Sequence, residues 1–218
     1  MRSCRDVSRS ERGQDHRRRR GWVVREFVAL ALRSRVTLAL VAVNVGIYVL
    51  DGMAPGLHLW ERLSGDIAQV KDGELFRLFT CAFVHANRDH LIWNMLPLSA
   101  WGMMVETSLG RWRLAVLYLA AALCGSITVL LLAPADAVMV GSSGAVYGVA
   151  GAWVIVTRRH LRLKGRDPVV SVMVAIMLVL ALLALPLQRP RENAAHAAGS
   201  ITGVVLAMAW RPARVRRS

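Results

Sequence analysis

Apolar residues in this chain gather into six long runs, Val36–Leu50, His90–Val105, Leu114–Ala133, Ala145–Thr157, Val169–Leu187 and Ala194–Trp210, each bounded by charges, Pro or Gly. Runs of this kind predict membrane-spanning helices. Several are shorter than the roughly 20 residues that a lone spanning helix needs. Asn44, His90, Asn94, Ser143 and His196 lie in or beside them, and lipid does not tolerate such groups at depth without partners. These helices therefore need neighbours or a water-filled cavity. The predicted fold is all-α, a polytopic membrane protein of six transmembrane helices. The long connection from Asp51 to about Asn87 mixes Trp60, Leu63, Phe76 and Phe79 with charges, which predicts an ordered, amphipathic loop lying in the interface between the first two spans. The expected organisation is a basic, disordered cytoplasmic arm over residues 1–30, a six-helix membrane domain over 31–212 and a basic tail over 213–218. The halves 36–133 and 145–210 share no pattern, which argues against an inverted-repeat transporter.

Composition agrees. Of the 218 residues 55% are hydrophobic, and the mean hydropathy of +0.42 is too high for an ordinary soluble domain. The net charge of +14 does not form a nucleic-acid surface, because the basic residues fall in blocks between apolar runs and read as membrane flanks. With both termini inside, 22 of the 28 Lys and Arg residues lie on the cytoplasmic side and six outside, as the positive-inside rule requires. Residues Met1–Arg20 lack an apolar core and do not read as a cleavable signal peptide. Their Arg17–Arg20 run reads as a topology determinant that also suits anionic lipid head groups. The excess of arginine over lysine fits GC-rich bacterial coding, hence a bacterial plasma membrane. Cys4, Cys81 and Cys124 form neither a disulfide framework nor a zinc motif.

Three groups of residues carry candidate chemistry. In Gly141-Ser142-Ser143-Gly144 a serine stands where an outside loop enters the fourth span, so free N–H groups and the helix dipole meet beside Ser143 and would stabilise an oxyanion. Gly144, Gly148 and Gly151 share one helix face, a pattern that close helix packing explains without any chemistry. In the last span His196 is followed by Gly199 and Gly203 on one face. If the two glycine tracks meet, His196 comes within reach of Ser143 as a general base; an interhelical hydrogen bond is the plainer role for such a histidine. The third group is His85, His90 and Asn94, the last two at i and i+4, where each can donate to an oxyanion beside the Ser143 N–H. Within the spans no Asp, Glu or Cys lies beside these histidines at ligand spacing, so neither a metal nor another cofactor is expected.

These motifs, in this order, resemble the rhomboid family of intramembrane serine proteases over about residues 36–210. Gly141-Ser142-Ser143-Gly144 with Tyr147 looks like its GxSG nucleophile motif, and Ala195-His196 with Gly199 and Gly203 like its AHxxGxxxG motif. His85, His90 and Asn94 look like its HxxxxHxxxN, Gly102 and Glu106 like its GxxxE, and Gly73-Glu74-Leu75-Phe76-Arg77 like its GE-x-W-R with Phe76 in place of tryptophan. The resemblance implies a six-helix rhomboid-like bundle, a Ser143–His196 dyad, an oxyanion hole of Ser143 N–H, His90 and Asn94, and Tyr147 packed against His196. It implies a site opening to the outside and transmembrane proteins as substrates, with lipid the other partner and nucleic acid none; the oligomeric state is left open. The alternative is a catalytically inert rhomboid-like protein that binds transmembrane helices. Glu106 is read as a structural acceptor in the inner loop.

Overall fold

The computed structural model describes residues 30, 32–163 and 190–210. The predicted fifth span (169–187), residues 1–29 of the arm and the tail 213–218 lie outside the described residues. Five long helices run through the rest: α1 (Arg35–Met53), α2 (Arg88–Leu109), α3 (Arg111–Leu132), α4 (Ser143–Leu163) and α5 (Pro190–Ala209), the last being the predicted sixth span. Among them α1 and α3 are long and apolar enough to cross a membrane unaided.

Their ends have local causes. Asn87, in extended backbone, accepts the His90 N–H on its side chain at 2.8 Å and starts α2. Gly110, at φ +97°, allows α3 to follow α2 at once. The fourth helix departs from the apolar run Ala145–Thr157, since it begins at Ser143 and continues through Arg158 and Arg159 to Leu163. Loss of hydrophobicity there marks where the helix meets polar surroundings, while its backbone ladder carries on. Arg159 uses that extension to donate to the carbonyls of Trp210 at 2.9 Å and Met208 at 3.1 Å, a cation at the C-terminal end of α5.

The core centres on α3, whose Leu114, Leu117, Tyr118 and Ala121 are fully buried against Leu98 and Val105 of α2 and Ala145, Val149 and Ala152 of α4. The outward faces are apolar too: Leu38, Val43 and Leu50 on α1, Val116 and Leu131 on α3, and Ile201 and Val205 on α5 are exposed. That much exposed aliphatic surface belongs in lipid rather than water.

Helix α1 is held by a residue far away in sequence. Glu106 of α2, 5% exposed, accepts the N–H groups of Val36 at 3.0 Å and Thr37 at 2.8 Å, and the Thr37 hydroxyl at 2.8 Å. Its carboxylate thus does the work of an N-cap, placing negative charge at the positive end of α1. Gly102, one turn earlier, lets Thr37 in, because a Cβ there would lie 2.8 Å from the threonine methyl. Glu106 is therefore structural, as expected, but its target is the start of α1 and not the inner loop.

The connection between α1 and α2 is ordered into the short helices Leu59–Leu63, Ile67–Lys71 and Arg77–Thr80. Arg77 pins it, donating to the Glu74 carboxylate at 2.6 Å and to the carbonyls of Glu61 at 2.7 Å and Ser64 at 2.8 Å. Ile67, Val70, Leu78, Cys81 and Met139 close over one another as a small second core. One feature departs from an all-α fold. Strand β1 (Gly65–Asp66) pairs antiparallel with β2 (Val138–Met139), Gly65 opposite Met139, and ties this connection to the loop that enters α4. Gly65 is required there, since a Cβ would lie 2.9 Å from the Met139 Cβ.

Candidate active site

Ser143 is the first residue of α4, half-buried, with its N–H and those that follow at the positive end of the helix. The turn before it depends on Gly141, at φ +101°, where a Cβ would lie 2.6 Å from the His90 ring nitrogen Nε2. The Gly141 N–H donates to the Cys81 carbonyl at 3.0 Å, so the ordered connection also fixes the loop before Ser143. Ser142, fully buried, points its hydroxyl inward to His85, 3.3 Å from Nε2.

The two glycine tracks face each other. A Cβ on Gly199 would lie 2.9 Å from the Gly144 carbonyl carbon, and one on Gly203 would lie 2.9 Å from the Gly148 Cα. Gly151 completes the track, its Cβ position being 3.3 Å from the Ser200 carbonyl carbon. Backbones this close leave no room for a side chain at these glycine positions. A third helix joins them: Gly125 of α3 approaches both Gly144 and the Ala195 carbonyl, each 3.4 Å from its Cβ position. Sequence reasoning missed that partner, although Ala121 and Gly125 form a small-residue pair at i and i+4.

Tyr147, one turn after Ser143 on the same face, stacks on His196 with ring centroids 4.2 Å apart and planes 15° from parallel, which is the packing the resemblance implied. The Tyr147 carbonyl accepts the Ser200 hydroxyl at 3.4 Å. His196 Nδ1 is buried without a hydrogen-bond partner among the described residues.

The third group also converges here, in a graded way. The rings of His85 and His90 meet edge to face at 5.2 Å. Asn94, buried, donates one amide N–H back to the His90 carbonyl at 2.9 Å and, among the described residues, has no second hydrogen-bonded acceptor for its amide. His85 is 4% exposed, and in the loop before α2 burial, aided by neighbouring His90, lowers its pKa to about 4. It therefore supports Ser142 from behind as a neutral ring and does not line an open cavity.

A family model of the rhomboid domain matches residues 72–213, about two thirds of the chain. The chain belongs to the rhomboid family. Among curated relatives, the "Putative rhomboid protease YdcA" of Bacillus subtilis (strain 168) is 29% identical over 154 residues, 70% of this chain and 76% of that protein. The rhomboid protease GluP of the same organism is 31% identical over 144 residues, 64% of this chain and 27% of that protein. RHOMBOID-like protein 5 of Arabidopsis thaliana is 31% identical over 140 residues, 63% of this chain and 44% of that protein. This rhomboid thus spans three quarters of YdcA and under half of the other two. As a rhomboid it is an integral membrane protein, and α1, α3 and α5 carry exposed aliphatic faces. The matched region starts after α1, which this rhomboid secures through Glu106 from inside the match.

Proposed function

We propose that this rhomboid is an intramembrane serine endopeptidase, with Ser143 as nucleophile and His196 as base, that cleaves other membrane proteins in or near their transmembrane segments. The observation that carries the reading is the stacking of His196 on Tyr147 at 4.2 Å, one helical turn from Ser143. The glycine contact between Gly144 and Gly199 holds that arrangement rigid. In the first step the imidazole takes the Ser143 proton while Oγ attacks the substrate carbonyl carbon. The Ser143 N–H, His90 and the second Asn94 N–H receive the negative charge on oxygen, each donor being worth about 10² to 10³ in rate. The C–N bond then breaks, the proton passing from His196 to the departing amine. Water, deprotonated by the same ring, hydrolyses the acyl-enzyme. No cofactor enters. The substrate helix must unwind at the cut, since a helical peptide bond is shielded and its freed polar groups need partners.

The same reading takes six spans with the fifth over 169–187, both termini in the cytoplasm of a bacterial cell, and the site open to the outside. About 22 Å of helix separates Ser143 from Arg158 at 1.5 Å per residue, against a hydrocarbon core of about 30 Å, which favours a nucleophile below the outer surface. The test is cleavage of a model transmembrane substrate by purified protein in liposomes, beside Ser143→Ala and His196→Ala. Cutting by the wild type, with both folded variants inert, upholds the dyad. A wild type that cuts nothing and does not react with a fluorophosphonate overturns the dyad and makes the catalytically inert, helix-binding reading the leading one.

A further inference from the structure

Stacking on Tyr147 fixes the plane of the His196 ring but not the order of its atoms. A half-turn about χ2 leaves the ring in the same plane against the same phenol and exchanges Nδ1 with a carbon. A neutral imidazole carries one proton and one lone pair, and only the nitrogen with the lone pair serves as base. A partner other than the stack must therefore choose which nitrogen faces Ser143 and which holds the proton.

Two unmet atoms on α5 answer that need. Among the described residues His196 Nδ1 and Asn193 Oδ1 are both buried without a hydrogen-bond partner. They are complementary, since a protonated Nδ1 needs an acceptor and an amide oxygen only accepts. Asn193 precedes His196 by three residues on α5, so their Cβ atoms stand about 5–6 Å apart on one helix face. Helical side chains lean toward the N-terminus, which carries the histidine ring back over Asn193. Left apart, each buried atom costs its lost hydration; one hydrogen bond between them, direct or across a single water molecule, removes both costs. Glu192, four residues before His196, is the other acceptor on this stretch of helix, but it is exposed and water competes for it.

We infer that Asn193 is a positioning residue for the base: its Oδ1 accepts a hydrogen bond from His196 Nδ1–H, which leaves the Nε2 lone pair to face Ser143. This rests on the protease reading above. When Nε2 receives the Ser143 proton the ring becomes a cation, and the amide oxygen then faces a charged donor, so the bond strengthens toward the transition state. Its removal should fall on kcat and spare KM.

The test joins spectroscopy to kinetics. Ring-nitrogen NMR of histidine-labelled wild type in liposomes, with the His196 signals identified by their absence from His196→Ala, should find the neutral ring protonated on Nδ1. A proton on Nε2 overturns the inference whatever the variants do. In liposome kinetics with active sites counted by fluorophosphonate titration, Asn193→Ala should lower kcat per titrated site about 3- to 10-fold, the span of one interior hydrogen bond, at unchanged KM. Asn193→Asp keeps an acceptor in the same place and should recover most of that loss, while Glu192→Gln should match the wild type. Unchanged kcat in Asn193→Ala, an aspartate variant no better than the alanine one, a Glu192→Gln loss as large as that of Asn193→Ala, or a loss seen only as fewer titratable sites would each overturn it. A wild type that neither cuts nor labels overturns the protease reading itself, an outcome distinct from these.

Discussion

Replacing Gly199 by alanine tests whether the contact between α4 and α5 sets the active-site geometry. The new methyl carbon would run into the Gly144 carbonyl oxygen, its nearest neighbour, and stand 2.9 Å from the carbonyl carbon behind it. Both atoms lie well inside the roughly 3.5 Å at which non-bonded heavy atoms rest, so the helices must part by about 1 Å or more. Gly144 follows Ser143 directly, and Gly199 lies one turn beyond His196, so the separation is delivered to the proposed nucleophile and base. A displacement near 1 Å costs about 10²-fold in rate, or about 2.7 kcal/mol of barrier. Stability moves less, because about 1–3 kcal/mol of overpacking is offset by about 1 kcal/mol of helix propensity gained over glycine. Activity should therefore fall far more than melting temperature. Cleavage and fluorophosphonate labelling rates of Gly199→Ala in liposomes give the first quantity and thermal unfolding in detergent the second. Gly46→Ala in α1 is the control, since its Cβ meets nothing within 4 Å and should change neither. A folded Gly199→Ala protein that still cleaves at a third of the wild-type rate or more would show that the glycine contact does not set the distance between Ser143 and His196.

Two further outcomes follow from groups outside the reacting pair. Glu106→Gln keeps the volume but removes the charge and turns one oxygen into a donor facing the N–H groups of Val36 and Thr37. The variant should lose about 2–3 kcal/mol, read as a drop in unfolding midpoint, and a loss under about 0.5 kcal/mol would refute the capping role. His85 has a folded pKa of about 4, below the ordinary 6.5, so the unfolded chain takes up its proton first as pH falls. Its contribution is intact above pH 6.5 and declines toward pH 4, by about 3 kcal/mol in full. Thermal unfolding of wild type and His85→Asn from pH 7.5 to 4.5 should converge on acidification, and parallel curves would count against a buried neutral ring.

Much of this molecule is legible along the chain because its determinants are local. Apolar length marks the helices, Asn87 and Gly110 mark ends, and the helical period aligns Gly144, Gly148 and Gly151 on one face and Gly199 with Gly203 on another. Ser143 reads as a helix-start nucleophile because glycine on either side of the serine pair signals a turn into a helix. Spacing along one helix says nothing about its neighbour, so the chain alone left open whether the two tracks meet; their meeting, and the addition of Gly125 from α3, is a property of packing. The same holds for Glu106, whose target lies about seventy residues away at the start of α1. It holds for Ser142 as well, a residue that local rules would make a cap and whose hydroxyl lies instead 3.3 Å from His85 Nε2. Sequence fixes which backbone groups need partners and which faces are bare. Tertiary structure decides which distant group supplies each partner, because buried polar atoms must be satisfied by whatever the packed helices bring within hydrogen-bond reach.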